Sequence, residues 1–528
     1  MKKLLLFLAM VALAGTQIPV GAMAQSGASA APVTAPAGIT LEQLFKEAGD
    51  RFAAGDLDGS LKLYDRLLSV QPAFAGGNGF YGRGLVYVAR DELTKALKDF
   101  NEALHQNPNN AYARYDRGQV LLRMERYAEA IADFSSAMKQ SPALAKQAYV
   151  LNDRGIAYLE SRQTDKARAD FEAALALDPD YPFAHHNLGL LHQQAGHWKE
   201  ALAEFDKAVA GKSDYASAFR HRAEVHARLG NADKAASDYT RVLMLEPDWS
   251  FVYLDRGSLY YSAGDFDLAR EDFEKALALN PKDAAALNDL GLLWYQQGDY
   301  VKALDFYSRA LAQDPKFGMA WYNRALAHAR QQNHSQALAD YSEAIRLMPK
   351  DVLSFNNRGL THARLGEYQA AIEDYSQALA LNPDYSLAYN NRGDAWRLLK
   401  DYDKARFDLL KAISLDPDYA LAYANLGLLQ LETSQPAEAI KSFDKALALE
   451  PGRAATLAQR ALAWIQLGKP AQARADLEQA LKIEPDSALV HAGLGQIFAA
   501  EGDCRKAAEQ FKRACELGDK ESCDSSCH

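Results

Sequence analysis

The stretch AYNNRGDAWRLLKDYDKARFDLLKAISLDP, residues 388–417, decides the fold. It holds two runs with apolar residues three and four apart, joined by a short turn and closed by Asp416-Pro417. That pattern predicts two short antiparallel helices. The same unit recurs along the chain. Prolines stand at 247, 281, 315, 349, 383, 417, 451 and 485, a constant step of 34, and the series runs back through Ser213 to Pro179. Pro142, Pro108 and Pro72 precede it at steps of 37, 34 and 36. A fixed period in this range is the mark of a solenoid, in which each unit buries its apolar face against its neighbours.

With proline placed at position 32, units begin at 41, 77, 111, 148, 182, 216, 250, 284, 318, 352, 386, 420, 454 and 488. A small residue occupies position 8 (Gly257, Gly291, Gly359, Gly393, Gly427) and alanine position 20 (Ala269, Ala303, Ala371, Ala405, Ala439). Position 24 is aromatic or leucine (Phe273, Tyr307, Tyr375, Leu409, Phe443). Small residues let the two helices approach, and the large side chain fills the remaining gap. In these residues the chain resembles the tetratricopeptide repeat family over roughly residues 41–519. The resemblance implies an all-α fold, an α-solenoid wound as a right-handed superhelix of about fourteen helix-turn-helix units. Extra residues at 75–79 and 144–146 lengthen two inter-repeat turns, and the stacking angle is expected to shift there.

Composition bounds the function. The 528 residues are 48% hydrophobic and 24% charged, with 59 Lys and Arg against 69 Asp and Glu, so a folded core is expected and a phosphate-binding footprint is not. Nucleic acid is therefore not an expected partner. At the N-terminus, Lys2 and Lys3 precede an apolar run over 4–14 and a small-x-small site at Ala22-Met23-Ala24. This predicts a signal peptide over 1–24, cut after Ala24, and a periplasmic or secreted product. Eleven apolar residues fall short of a bilayer span of about 20, so stable membrane insertion is not expected after cleavage. Residues 25–38 carry little apolar bulk and are expected to form a flexible leader.

Two repeating positions carry polar groups. Position 7 is arginine in nine units (Arg83, Arg117, Arg154, Arg222, Arg256, Arg324, Arg358, Arg392, Arg460), and position 23 of the same nine is aspartate. The five other units lack both residues. Joint presence predicts an ion pair between the two helices of a unit, with the arginines bracing it and not gripping a ligand. Position 6 reads, among others, Asn187, Asp255, Asp289, Asn323, Asn357, Asn391 and Asn425. A carboxamide can both donate to and accept from a peptide backbone, so this row is the candidate peptide-binding strip. The alternative is that each amide bonds to the neighbouring repeat. Long arrays of the family, notably those of O-GlcNAc transferases, hold extended peptides with such an asparagine ladder on their concave face, which is what the resemblance implies here. Position 2 is mostly apolar (Tyr112, Tyr149, Phe183, Phe251, Met319, Leu353, Leu387, Leu421), suiting a segment with hydrophobic side chains. The lysine clamp by which other family members hold chaperone tails is absent.

All four cysteines, Cys504, Cys515, Cys523 and Cys527, lie in the last 25 residues. In an exported chain they predict disulfides within a C-terminal cap over 504–528. Cys504 and Cys515 on one helix would stand about 16 Å apart, beyond disulfide reach, which leaves two pairings. The segment ACELGDKESC (514–523) resembles the ends of Sel1-like repeats, and that resemblance implies Cys515–Cys523 with Cys504–Cys527. Cys523-Asp-Ser-Ser-Cys527-His528 is one residue longer than a haem-attachment motif, so a redox or haem protein is the alternative function class. Neither the cysteines nor His185, His186 and His192 have metal-site spacing, and the glycines of 77–82 match a dinucleotide fingerprint without a surrounding βαβ unit. No cofactor, metal or catalytic residue is expected. The reading is a non-catalytic scaffold of the cell envelope that binds protein or peptide segments.

Overall fold

The structure is a computed structural model and describes residues 40–525. The expected leader segments, together with Cys527 and His528, lie outside the described residues. The described chain is a succession of helix pairs. First helices of 12 to 14 residues begin at Leu41, Asn78, Ala111, Ala148, Pro182, Ala216, Ser250, Ala284, Gly318, Val352, Ser386, Ala420, Ala454 and Ala488. Each is followed, across a tight turn, by a second helix of 13 or 14 residues, as Ser386–Leu398 is followed by Tyr402–Leu415. No helix is long and apolar enough to cross a membrane among the described residues.

Local chemistry explains the lengths. At the first-to-second turn, Asp401 N–H bonds back to the Trp396 carbonyl, with Lys400 in the left-handed region (φ 63°). Gly298 does the same work in its repeat (φ 81°), where glycine has no Cβ to crowd the backbone. The aspartate that follows caps the next helix, the Asp401 carboxylate accepting from Lys404 N–H and that of Asp299 from Lys302 N–H. Proline after Asp416 ends the second helix because it cannot continue the hydrogen-bond ladder.

The core is built between positions 8, 20 and 24. Ala303, Ala371, Ala405 and Ala439 are fully buried, as are Tyr307, Leu409 and Phe443. A Cβ on Gly427 would lie 2.5 Å from the Phe443 ring, and one on Gly291 would lie 2.6 Å from Tyr307. The ring thus packs onto bare backbone.

The chain divides into two compact units, Met1–Asp272 and Phe273–His528. Both lengthened turns belong to the first, and each adds a buried anchor. Phe74, in the 3₁₀ turn Phe74–Gly77, packs with its ring centroid 5.4 Å from that of Phe45, and Leu144, in the short helix Pro142–Ala145, is buried in the cluster around Val150.

Candidate interaction surface

The nine arginines of position 7 are fully engaged. Arg392 holds Asp408 with two parallel bonds (Nε–Oδ2 2.8 Å, Nη2–Oδ1 2.9 Å), and the other eight hold their aspartates in the same bidentate way. A third nitrogen reaches position 25 of the preceding repeat, as from Arg392 to Ser376 Oγ (3.0 Å) and from Arg460 to Asp444. Each guanidinium therefore ties three helices together, and its aspartate is buried. Two repeats without the arginine use histidine at position 4. His185 lies 2.6 Å from the position-23 carboxylate of Glu204, and His491 lies 2.6 Å from Gln510 Oε1. The second ring nitrogen of each meets a proline carbonyl, that of Pro179 or Pro485. In the sequence the signal is a histidine six residues after the repeat proline, which the joint presence of arginine and aspartate does not reveal.

Position 6 is stitched to position 5 of the preceding repeat. In the first unit Tyr81 donates to Asp116 (2.7 Å), Tyr115 to Asp153 (2.6 Å), Asn187 to Asn152 (2.8 Å) and Arg220 to Asp255 (3.0 Å). In the second unit Asn323 donates to Asn288 (3.0 Å), Asn357 to Tyr322 (2.9 Å), Asn391 to Asn356 (3.2 Å) and Asn425 to Asn390 (2.9 Å). Cross-links between positions 5 and 6 of one repeat join these rungs. Asn390 donates to Asn391, Asn356 to Asn357 and Asn288 to Asp289. An unbroken chain of amides thus runs from Asn425 to Tyr322. Each of the five candidate asparagines thus places an N–H on the neighbouring repeat, the contact foreseen in the alternative to a ligand strip. Burial pushes the Asp116 carboxyl up to about 7 and that of Asp289 up to about 6, and it raises Asp153 and Asp255 as well.

Position 2 is different. Met319, Leu353 and Leu387 expose 47%, 47% and 42% of their surfaces in three successive repeats, and Tyr112 exposes 38% in the first unit. Tyr149, Phe183, Phe251 and Leu421 are half-buried. In the second unit an exposed apolar row over three successive repeats therefore runs beside the hydrogen-bonded amide row. At the C-terminus, Cys504 begins the helix Cys504–Glu516, and the Sγ atoms of Cys515 and Cys523 lie at bonding distance with Cα atoms 4.9 Å apart. Cys527, its proposed pairing with Cys504 and His528 fall outside the described residues. Among the described residues no group of three or more His, Cys, Asp or Glu is arranged to hold a metal ion.

Family models described as tetratricopeptide repeat match residues 81–145, 186–249 and 254–316, then 319–351, 352–385 and 386–419, and also 409–441 and 430–497. A further model, described as TPR repeat, matches 155–196. The chain belongs to the tetratricopeptide repeat family. Proteins built of tetratricopeptide repeats are generally protein-interaction scaffolds. No curated protein matches the chain. Among solved structures, the APC/C hetero-tetramer Cut9-Hcn1 is similar at 18% identity and a TM-score of 0.46, covering 87% of this chain and 96% of that one. A tetratricopeptide repeat protein from Parabacteroides merdae ATCC 43184 is similar at 25% identity and a TM-score of 0.41, covering 45% and 95%. YrrB, a TPR protein with an unusual peptide-binding site, is similar at 23% identity and a TM-score of 0.32, covering 35% and 96%.

Proposed function

We propose that this tetratricopeptide repeat chain is a non-catalytic scaffold of the cell envelope that binds extended protein segments along its first-helix face. The observation that carries the reading is the exposed row Met319, Leu353 and Leu387. Large apolar side chains held in water at one position of successive repeats are a cost unless a partner covers them, and their spacing suits a segment lying across the repeats. The amide network gives the row a rigid bed. A photo-crosslinking residue placed at Leu353 or Leu387 is expected to capture a protein partner in cells. The same residue at Val301, which is still more exposed and lies on a second helix, is expected to capture none. Equal capture at both places would reject the first-helix face as the binding surface.

The reading includes export through the predicted signal peptide and a disulfide between Cys515 and Cys523 that closes the last repeat. A covalent tie between the helix Cys504–Glu516 and the short helix Lys520–Cys523 restrains fraying there. Intact mass of the protein isolated from the envelope is expected to match a chain beginning at Gln25 and to rise on reduction. A chain retaining Met1, or a mass unchanged by reduction, would remove the corresponding part.

A further inference from the structure

One rung of the stitching between repeats breaks the pattern. Where the other rungs described place an amide pair, a tyrosine with a carboxylate or an amide, or an arginine with a carboxylate, the repeats beginning at Pro182 and Ala216 place two histidines. His186 (position 5) and His221 (position 6) have ring centroids 5.3 Å apart, and both side chains are more than nine-tenths buried. Nδ1 of His186 lies 3.2 Å from the Tyr215 hydroxyl, and Nδ1 of His221 lies 3.1 Å from Glu224 Oε2. Nε2 of each ring is buried and makes no hydrogen bond. Phe205 packs against both rings, 5.7 Å from His186 and 5.9 Å from His221.

We propose that the His186–His221 rung is an acid-sensitive joint of the first unit, closed while His186 is uncharged and loosened when His186 takes a proton. An imidazolium at His186, which has no carboxylate of its own, would set a positive charge against the second imidazole in an aromatic, water-poor slot. The charged and titratable groups around His186 do little to offset this. From the following first helix come His221 itself, Glu224 and Arg220. Glu224 already accepts from His221 and from Gln193, and it is ion-paired to Arg220 at 2.7 Å. Arg220 in turn holds Asp255. From its own second helix comes Glu204, which is engaged by His185 and Lys207. One rung back, Asn187 is tied to Asn152, and Asp153 accepts from Tyr115.

Burial and the adjacent His221 hold His186 well below the ordinary histidine range, against weaker pulls from Asn187 and Glu224. For such a group the unfolded or opened chain takes the proton first. Its stabilising effect is present above the opened value of about 6.5 and is lost as pH falls from there towards the closed-state value. Asp116 moves the opposite way. Its raised carboxyl favours the folded state as pH falls from about 7. A global melt would mix the two effects, so the test must be local.

Hydrogen exchange over residues 182–228, expressed as protection factors at pH 7 and pH 5, supplies that readout. In the wild-type chain protection there is expected to drop about tenfold or more, the equivalent of one pH unit of linkage. In H186N/H221N, which installs the amide rung seen at Asn152 and Asn187, it is expected to change by less than about twofold. Undiminished wild-type protection at pH 5, or an equal drop in the variant, would overturn the proposal. If the double variant lacks native helix content at pH 7, the transplant N288H/N323H decides. Acid sensitivity appearing over residues 284–330 supports the joint, and its absence rejects it.

Discussion

At the level of single residues, burial alone does not distinguish a group that serves the fold from one that could serve a ligand. What distinguishes them is whether the fold already satisfies the group. Asn391 and Leu387 sit four residues apart on one helix. The amide is bonded at both its oxygen and its nitrogen, whereas the leucine is left 42% exposed. The joint presence of arginine and aspartate made the ion pair legible in sequence, because two positions that change together imply contact. The amide row was only half legible. Its spacing showed one polar group per repeat, but an Asn can face a ligand or a neighbouring repeat with the same chemistry.

Between helices, the position-7 arginine acts as a clamp on three segments at once. Arg358 grips Asp374 through two nitrogens and reaches Ser342 Oγ of the preceding repeat at 3.1 Å. Arg358→Ala is expected to strand a buried carboxylate and to lower stability by about 2–3 kcal/mol, below the range for fully buried pairs because the arginine itself is part-exposed. Arg358→Lys should recover less than half of this, since an ammonium cannot match the two-pronged geometry. Denaturant midpoints of the two variants check it, and a loss under about 0.5 kcal/mol for the alanine variant would show the pair to be incidental. The two lengthened turns teach a related lesson. Extra residues near Ala75 and Ala145 suggested altered stacking, but Phe74 and Leu144 turn each insertion into a packed element, which no periodicity rule announces.

Across the molecule, a repeat touches mainly its neighbours, so damage should fade with distance along the array. Gly427→Val drives new carbons into the Phe443 ring, where even a Cβ would sit at 2.5 Å. The repeats from Ser386 to Ile483 are expected to lose most hydrogen-exchange protection, and the repeat beginning at Ala284 in the same unit much less. Uniform loss across the second unit would instead mean that it unfolds as one block. The sequence by itself determined the helix pairs, their 34-residue period, the glycine-on-ring core and the arginine–aspartate clamp, because each depends on spacings inside one unit or on positions that vary together. Tertiary structure decided which polar row is spent and which apolar row is exposed, and it alone brought two histidines 35 residues apart into one dry slot. Those outcomes depend on how position 5 of one repeat meets position 6 of the next, a contact set by the stacking of repeats and not by the order of residues within them.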